Sequence, residues 1–233
     1  MREYLDFDAA MSRQLLLGEI VARNARRYPD EEIMVFGEKR ITCREMDERV
    51  NRLANAMLSL GIREGDKVGI FLLNCAEVIE IYFAAAKIGA VNVPINVRLS
   101  PREIAYIFEN SDTVMIFVGH TFLPVVEKIK DGLPLVKEIV VVGQKEDGTY
   151  RNYEKLLSSG SPIRPEIWLQ DEMDAFIVYT SGTTGRAKGA VLTHKNLFYH
   201  STCLIAESNA SQPRRPEIPR GRVRALSIVP LFH

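Results

Sequence analysis

Apolar positions follow two patterns that alternate along most of the chain. Short runs of consecutive apolar residues, rich in β-branched side chains, predict buried strands at 68–73, 91–95, 114–118, 138–142, 175–179, 190–192 and 225–229. Apolar residues at helical spacing predict amphipathic helices at 42–60, 75–88, from 101 onward, at 124–130 and at 193–208. Strands that alternate with helices in this way indicate an α/β fold, a layered sandwich with largely parallel sheets flanked by helices.

Local signals mark several element boundaries. Residues 33–36 and 39–42 predict a hairpin around a turn that contains Gly37. A capping residue followed by glutamate three positions later predicts a helix start at three places: Thr42 with Glu45, Asn74 with Glu77, and Ser100 with Glu103. Pro101 strengthens the third of these, because proline suits the first position of a helix.

Two segments interrupt the alternation. Residues 158–170 are rich in serine, proline and glycine and predict a connection between two subdomains, 1–160 and 161–233. Residues 208–224 combine prolines with several arginines and a single acidic residue. This second segment is interpreted either as a solvated loop or as a basic patch for the phosphates of CoA, lipid headgroups or another acidic partner.

Composition excludes several classes of protein. The 233 residues are 46% hydrophobic, and the 30 basic and 30 acidic residues give a formal net charge of +0. This balance argues against a nucleic-acid-binding protein, which needs positive charge to displace counterions. No apolar run approaches the ~18 residues of a membrane span, and three scattered cysteines suggest neither a disulfide framework nor a zinc site. We therefore expect a cytoplasmic protein.

The segment 179–194, Tyr-Thr-Ser-Gly-Thr-Thr-Gly-Arg-Ala-Lys-Gly-Ala-Val-Leu-Thr-His, carries the candidate chemistry. Glycines allow backbone N–H groups to converge, hydroxyls add donors, and Lys188 adds a positive charge, a combination that suits a polyphosphate. A plain turn is the alternative interpretation. The spacing around Lys188 does not fit the Walker A loop of kinases and GTPases, and Ser181 does not lie in the G-x-S-x-G motif of hydrolases.

Residues 180–189 resemble the phosphate-loop signature of the adenylate-forming superfamily, which includes acyl-CoA synthetases, aryl-CoA ligases and luciferases. Other segments resemble the same family, in the same order along the chain: Thr42-Cys-Arg-Glu-Met-Asp with Asn51-Arg-Leu-Ala54, Gly61-Ile-Arg-Glu-Gly-Asp66, Lys87-Ile-Gly-Ala-Val-Asn-Val-Pro-Ile-Asn96 and Pro230-Leu-Phe-His233. Ala187 departs from the pattern, since the family usually has proline there, and this change is expected to loosen the loop slightly.

The resemblance implies a two-step ligase. A carboxylate attacks the α-phosphorus of ATP to give an acyl-adenylate and pyrophosphate, and the thiol of CoA then displaces AMP. It also implies roles for individual residues. Ser181, Gly182, Thr183, Thr184 and Gly185 would wrap the β- and γ-phosphates, Lys188 would neutralise them, Thr180 would lie near Mg2+, and His233 would border the acyl pocket. The remaining histidines, His120, His194 and His200, are assigned to helix starts and the surface.

The resemblance further implies that the chain is the incomplete N-terminal domain of an adenylate-forming enzyme, with the catalytic lysine beyond residue 233. We therefore expect the fragment to be inactive by itself. The alternative is a non-catalytic nucleotide-binding or scaffolding module that retains the fold. The sequence favours a fatty or other hydrophobic acid as substrate but does not identify it, and it leaves peripheral membrane contact and a homodimer open.

Overall fold

The computed structural model describes residues 7–12, 14–143, 148–180, 186–211 and 231 of the chain. Over these residues, the predicted alternation folds into a seven-stranded sheet and a two-stranded ribbon. The strands are β1 (Glu32–Phe36), β2 (Lys39–Thr42), β3 (Lys67–Phe71), β4 (Val91–Pro94), β5 (Thr113–Gly119), β6 (Glu138–Val142), β7 (Arg151–Asn152), β8 (Asp174–Thr180) and β9 (Lys188–Thr193). The α-helices are α1 (Phe7–Ser12), α2 (Leu17–Arg27), α3 (Cys43–Ser59), α4 (Ala76–Lys87), α5 (Pro101–Asn110), α6 (Leu123–Ile129), α7 (Tyr153–Ser159) and α8 (His194–Ser211).

The sheet is mixed but mostly parallel, which confirms the predicted fold class. Its strand order is β7-β6-β5-β3-β4-β8-β9, and every neighbouring pair is parallel except β8 and β9. The antiparallel pair follows from the short connection 181–187, because a parallel crossover needs about a dozen residues or more. The ribbon is the predicted hairpin of β1 and β2. The predicted strand at 225–229 lies outside the described residues.

Helices cover both faces of the sheet and bury a core on each. Helices α3, α4 and α7 pack on one face around residues such as Leu53 and Ile81, and α2 packs against α3 and α4. Helices α5 and α6 cover the other face, where Ile104, Phe108 and Val126 are buried. The strands between the two layers are therefore apolar on both sides, as in other parallel sheets.

Two of the three predicted capping boxes are present. The Thr42 and Ser100 hydroxyls each accept from the backbone N–H three residues later, and Glu45 and Glu103 bond back to the cap. The prediction at Asn74 is wrong, because α4 begins after Cys75 and has no side-chain cap. The amide oxygen of Asn74 instead accepts a hydrogen bond from the backbone N–H of Leu231, at 2.8 Å.

The segment 158–170 is docked against the helices. Arg52 donates to the carbonyl oxygen of Gly160 at 3.0 Å, and Asn55 donates to the carbonyl oxygen of Ile163 at 2.7 Å. Farther along, Arg164 is paired with the buried carboxylate of Glu19. The division into 1–160 and 161–233 stays a prediction, and the large sheet runs across it because β4 pairs with β8.

A buried ionic network lies within the core of the first face. Glu80 is fully buried and accepts two hydrogen bonds from Arg49, at 2.8 and 2.9 Å, and one from the hydroxyl of Tyr153, at 2.7 Å. Arg49 also bonds Glu154 at 2.8 Å. Burial raises the pKa of Tyr153 well above its ordinary value, so this hydroxyl stays a donor at neutral pH. The network therefore satisfies the carboxylate that burial would otherwise destabilise.

Candidate functional site

The candidate site lies where the parallel strands end. Strands β3, β4 and β8 are parallel neighbours, so their carboxyl ends meet at one edge of the sheet. The predicted phosphate loop leaves β8 at this edge and returns as β9. Thr180 and Lys188 are partners in the register of this hairpin, which holds the two ends of the loop side by side. The carboxyl edge of a doubly wound parallel sheet is the place where α/β proteins bind ligands.

The structure describes two of the predicted phosphate-site residues. Thr180 and Lys188 are both exposed, at the last position of β8 and the first of β9. Ser181, Gly182, Thr183, Thr184 and Gly185 lie outside the described residues, as does His233. Their predicted roles therefore stay predictions.

Two cations flank the loop on its β9 side. Arg186 and Lys188 are exposed, and among the described residues neither forms an ion pair with a carboxylate. An exposed guanidinium and an exposed ammonium next to a glycine-rich loop can supply counter-charge and donors to an anion. The arrangement therefore suits a phosphate-bearing ligand.

Gly189 follows Lys188 at a point of close approach. A Cβ there would lie 2.7 Å from Cγ2 of Ile177 and 3.1 Å from the ring of Tyr179, both on β8. The missing side chain lets the larger side chains of β8 lie across β9 directly beneath the loop. Close packing against β8 is therefore a sufficient reason for glycine at this position.

Helix α5 contacts both flanks of the loop, which the sequence did not reveal. The hydroxyl of Tyr106 donates to the carbonyl oxygen of Ala187 at 3.3 Å, and the guanidinium of Arg186 lies 5.8 Å from the centroid of the Tyr106 ring. One turn later, Asn110 accepts a hydrogen bond from the hydroxyl of Tyr179 at 2.7 Å. In the sequence, the only hint of these roles is the spacing of Tyr106 and Asn110 by four positions, which places them on one helix face.

Two side chains form hydrogen bonds with the backbone of Leu231, which belongs to the predicted motif 230–233. The backbone N–H of Leu231 donates to Asn74, which follows β3, and its carbonyl oxygen accepts from the hydroxyl of Tyr82 on α4, at 2.5 Å. Burial raises the pKa of Tyr82, so this hydroxyl is a donor at neutral pH. Two side chains thus fix the backbone of one residue in the predicted 230–233 motif.

The three other histidines differ from one another. His120 and His200 are exposed, as predicted. His194 begins α8 as predicted but is completely buried, so its assignment to the surface is wrong. Its Nδ1 accepts from the backbone N–H of Leu17 at 3.3 Å, which leaves the proton on Nε2, and Nε2 has no partner among the described residues. Burial lowers the pKa of His194 to about 4, so the imidazole is neutral at physiological pH.

The described residues offer limited ligands for a metal. They contain no cluster of three histidine, cysteine or acidic side chains that could hold an ion. The exposed hydroxyl of Thr180 is a hard oxygen ligand of the kind that Mg2+ accepts. Because Mg2+ is commonly held by substrate phosphates and water with few protein ligands, Thr180 fits an ion that arrives with a nucleotide. No helix in the described part of the chain is long and apolar enough to cross a membrane.

The fold defines the class of protein, an α/β domain in which a glycine- and hydroxyl-rich segment follows a strand at the carboxyl edge of the sheet. The chain belongs to the AMP-binding enzyme family, whose sequence model matches residues 21–233. This match confirms the resemblance to the adenylate-forming superfamily that the motifs predicted.

Two similar proteins with assigned activities are CoA ligases. The chain is 35% identical over 191 residues to crotonobetaine/carnitine–CoA ligase of Salmonella paratyphi B, covering 77% of this chain and 37% of that protein. It is 30% identical over 196 residues to a medium/long-chain-fatty-acid–CoA/3-oxocholest-4-en-26-oate–CoA ligase of Mycobacterium marinum, covering 81% and 36%. The chain therefore spans somewhat more than a third of the length of these relatives.

Solved structures agree with this assignment. The inhibitor-bound N-terminal domain of FACL13 from Mycobacterium tuberculosis superposes with a TM-score of 0.78 at 31% identity, covering 94% of this chain and 52% of that one. The anthranilate CoA ligase AuaEII in complex with anthranoyl-AMP has a TM-score of 0.75 at 29% identity, covering 80% and 36%. The fold is thus that of the N-terminal portion of an adenylate-forming CoA ligase.

Proposed function

We propose that the chain is the N-terminal part of an ATP-dependent carboxylic acid–CoA ligase and that residues 180–188 bind the β- and γ-phosphates of ATP. The observation that carries this proposal is the register pairing of Thr180 with Lys188, which closes a glycine- and hydroxyl-rich loop beside two exposed cations. A polyphosphate needs this combination of convergent donors and positive charge. The enzyme is proposed to be cytoplasmic.

In the proposed reaction, the protein mainly positions reactants and neutralises charge. The carboxylate oxygen of the acid bonds to the α-phosphorus of ATP and pyrophosphate leaves, which gives an acyl-adenylate. The thiol of CoA then attacks the acyl carbon, and AMP leaves. Lys188 and the hydroxyls of 180–184 hold the phosphates that depart in the first step. Mg2+, carried by the nucleotide, would supply further charge neutralisation near Thr180.

The acid is proposed to be a fatty acid or another hydrophobic carboxylic acid. Support comes from the names of the relatives, among which a medium/long-chain fatty acid ligase and an anthranilate ligase both act on apolar or aromatic acids. The crotonobetaine/carnitine ligase among the relatives acts on a small polar acid, so the class of acid needs a direct test. Turnover of the enzyme containing these residues should be compared across octanoate, anthranilate and carnitine, and highest activity with carnitine would overturn this choice.

The phosphate site can be tested by binding. Lys188→Ala should weaken the binding of ATP and pyrophosphate by roughly tenfold while changing the affinity for AMP little, because AMP lacks the phosphates that Lys188 contacts. Titration calorimetry of the 233-residue chain measures all three ligands. Lys128→Ala, at an exposed lysine on α6, is the matched control and should change none of the affinities. An equal loss for ATP and AMP in Lys188→Ala would contradict the assignment.

The polypeptide of residues 1–233 is proposed to catalyse neither half-reaction at a useful rate, since it spans about a third of its relatives. Exchange of labelled pyrophosphate into ATP, measured with fatty and aryl acids, should stay at background. Acid-dependent exchange above background would contradict this expectation. A scaffolding module that has lost the chemistry would instead bind ATP but remain inactive even in the longest natural chain that contains these residues.

A further inference from the structure

We propose that helix α5 positions the phosphate loop, with Tyr106 and Asn110 as the positioning residues. The inference rests on the proposed function and adds residues that lie outside the loop motif. The two side chains contact opposite flanks of the loop. Asn110 accepts a hydrogen bond from Tyr179, the residue before Thr180. Tyr106 donates a hydrogen bond to the carbonyl oxygen of Ala187, the residue before Lys188. The residues that leave and enter the loop are therefore both fixed to one helix.

Helix α5 is capped at its start and anchored in the core, so it can restrain the residues that bond to it. Its first turn has a complete capping box and a proline, and Ile104, Ile107 and Phe108 are each 1% exposed against the core of the second face. The residues that hold the loop alternate with these buried anchors along the same short helix. Since packed helices move little relative to their sheet, a bond to α5 restrains the loop relative to β8.

Tyr106 restrains the backbone at Ala187, where the family usually has proline. Ala187 lacks the ring that would fix the backbone φ angle of a proline at this position. The hydrogen bond from the hydroxyl of Tyr106 to the carbonyl oxygen of Ala187 limits rotation on the other side of the residue. The guanidinium of Arg186 over the same ring adds a cation–π contact, which sets the direction of a cation that flanks the loop.

Tyr179 provides the matching restraint on the other flank. Its ring packs against the core that α5 covers, and its hydroxyl donates to Asn110. Burial raises the pKa of Tyr179 to about 12, so this hydroxyl remains a donor at neutral pH. The two flanks of the loop are therefore each joined to α5 by a hydroxyl donor, one from Tyr106 on the helix to Ala187 and one from Tyr179 on the strand to Asn110.

The first test removes single oxygen atoms. Tyr106→Phe keeps the ring and its packing but loses the bond to Ala187, and it should weaken ATP binding by about 3- to 10-fold with little change for AMP. Tyr28→Phe, at an exposed tyrosine directly after α2, is the matched control and should change neither affinity. Titration calorimetry of the 233-residue chain provides the affinities, and urea denaturation should give the same free energy of unfolding for the wild type and both variants.

The second test uses hydrogen exchange and needs no ligand. In Tyr106→Phe, the backbone amides of 186–189 should exchange several-fold faster, while those of α5 stay unchanged.

A third test uses ATP affinity again, on the other flank of the loop. Tyr179→Phe and Asn110→Ala should weaken ATP binding equally, and the double variant should bind ATP no more weakly than either single variant, because both substitutions remove the same hydrogen bond.

The outcomes separate the two proposals. If the wild-type chain does not bind ATP more tightly than AMP, the proposed function is contradicted. The hydrogen-exchange rates of residues 186–189 then remain the test of whether α5 positions the loop. If the wild-type chain prefers ATP but Tyr106→Phe has the same affinity and the same exchange rates, the positioning role of α5 is overturned. A loss of ATP affinity that only accompanies a fall in global stability would overturn it as well.

Discussion

Strands β5 and β9 belong to one sheet but have opposite surroundings. β5 lies between β3 and β6, and six of its seven residues are buried. β9 lies at the edge of the described sheet, and its first four residues are exposed. The centre of this domain therefore provides stability, whereas its β8–β9 edge presents side chains to the solvent. Substitutions at the two places should affect different measurements.

The largest effect is expected in the buried network on the α3–α4 side. Glu80→Gln removes the charge that Arg49 and Tyr153 surround and should lower the free energy of unfolding by about 3 kcal/mol, because Arg49 then loses its buried carboxylate partner and keeps the exposed Glu154. Urea denaturation measures this loss. Glu32→Gln, in the exposed pair with Arg40, is the control and should cost no more than about 0.5 kcal/mol. Similar losses for both variants would show that burial is not the deciding factor.

Acid should lower the stability of the fold through the buried side chain of His194, which directly follows the edge strand β9. The pKa of its side chain is about 4 in the folded chain and 6.5 for an unperturbed histidine, so the unfolded state binds the proton first as the pH falls. The contribution to stability is therefore complete above pH 6.5 and declines between pH 6.5 and 4, by up to about 3 kcal/mol. His194→Asn should flatten this part of the pH profile of the free energy of unfolding.

His200→Asn is the control for the acid experiment, because His200 lies on the same helix but is exposed. It should leave the decline between pH 6.5 and 4 unchanged. If His194→Asn and wild type lose the same stability over this interval, the burial of neutral His194 does not contribute to acid sensitivity.

A smaller effect is expected from the cap of α5. Ser100→Ala removes the oxygen that accepts from the backbone N–H of Glu103 and should lower the free energy of unfolding by about 1 kcal/mol. Ser100→Thr keeps a capping oxygen and should lose less. Thermal or urea denaturation distinguishes the two, and equal stability of Ser100→Ala and wild type would contradict the role of the cap.

The smallest effect is expected on the exposed side of β9. Val191 is 50% exposed, so Val191→Thr should change the free energy of unfolding by less than about 0.5 kcal/mol. The β-branched shape is retained, which keeps the preference for a strand. A loss comparable to that of Ser100→Ala would mean that this edge contributes more to stability than its exposure indicates.

Most of the fold could be predicted because its signals are local. Apolar runs located β3, β4, β5, β6, β8 and β9, and the residues at Thr42 and Ser100 located two helix starts. The two-residue strand β7 and the helices α1, α2 and α7 were not predicted. The same type of signal failed at Asn74, where the side chain bonds a residue 157 positions away instead of its own helix. The antiparallel pairing of β8 with β9 could have been deduced from the length of the connection, but the strand patterns alone did not indicate it.

The candidate site was predictable only in part, for the same physical reason. The loop motif has a distinctive composition, so the sequence alone predicted Thr180 and Lys188 as site residues, and their roles stay predictions. Tyr106 acts across a sequence separation of 81 residues, and nothing near it in sequence indicates that partner. His194 was misassigned because its burial depends on a segment at the other end of the chain. Contacts between residues so far apart in sequence can be identified only from the three-dimensional structure.

The hydrogen bond between Leu17 and His194 has a consequence for the order of folding. It joins residues 177 positions apart, and the pairing of Asn92 with Phe176 also spans a long stretch of chain. Contacts of such separation form slowly, since the closure of a long loop must precede any gain from them. Strands β3 to β6, which are linked by short crossovers, can assemble earlier. We therefore expect the β8–β9 hairpin to dock late in folding, after the central strands have formed a surface to receive it.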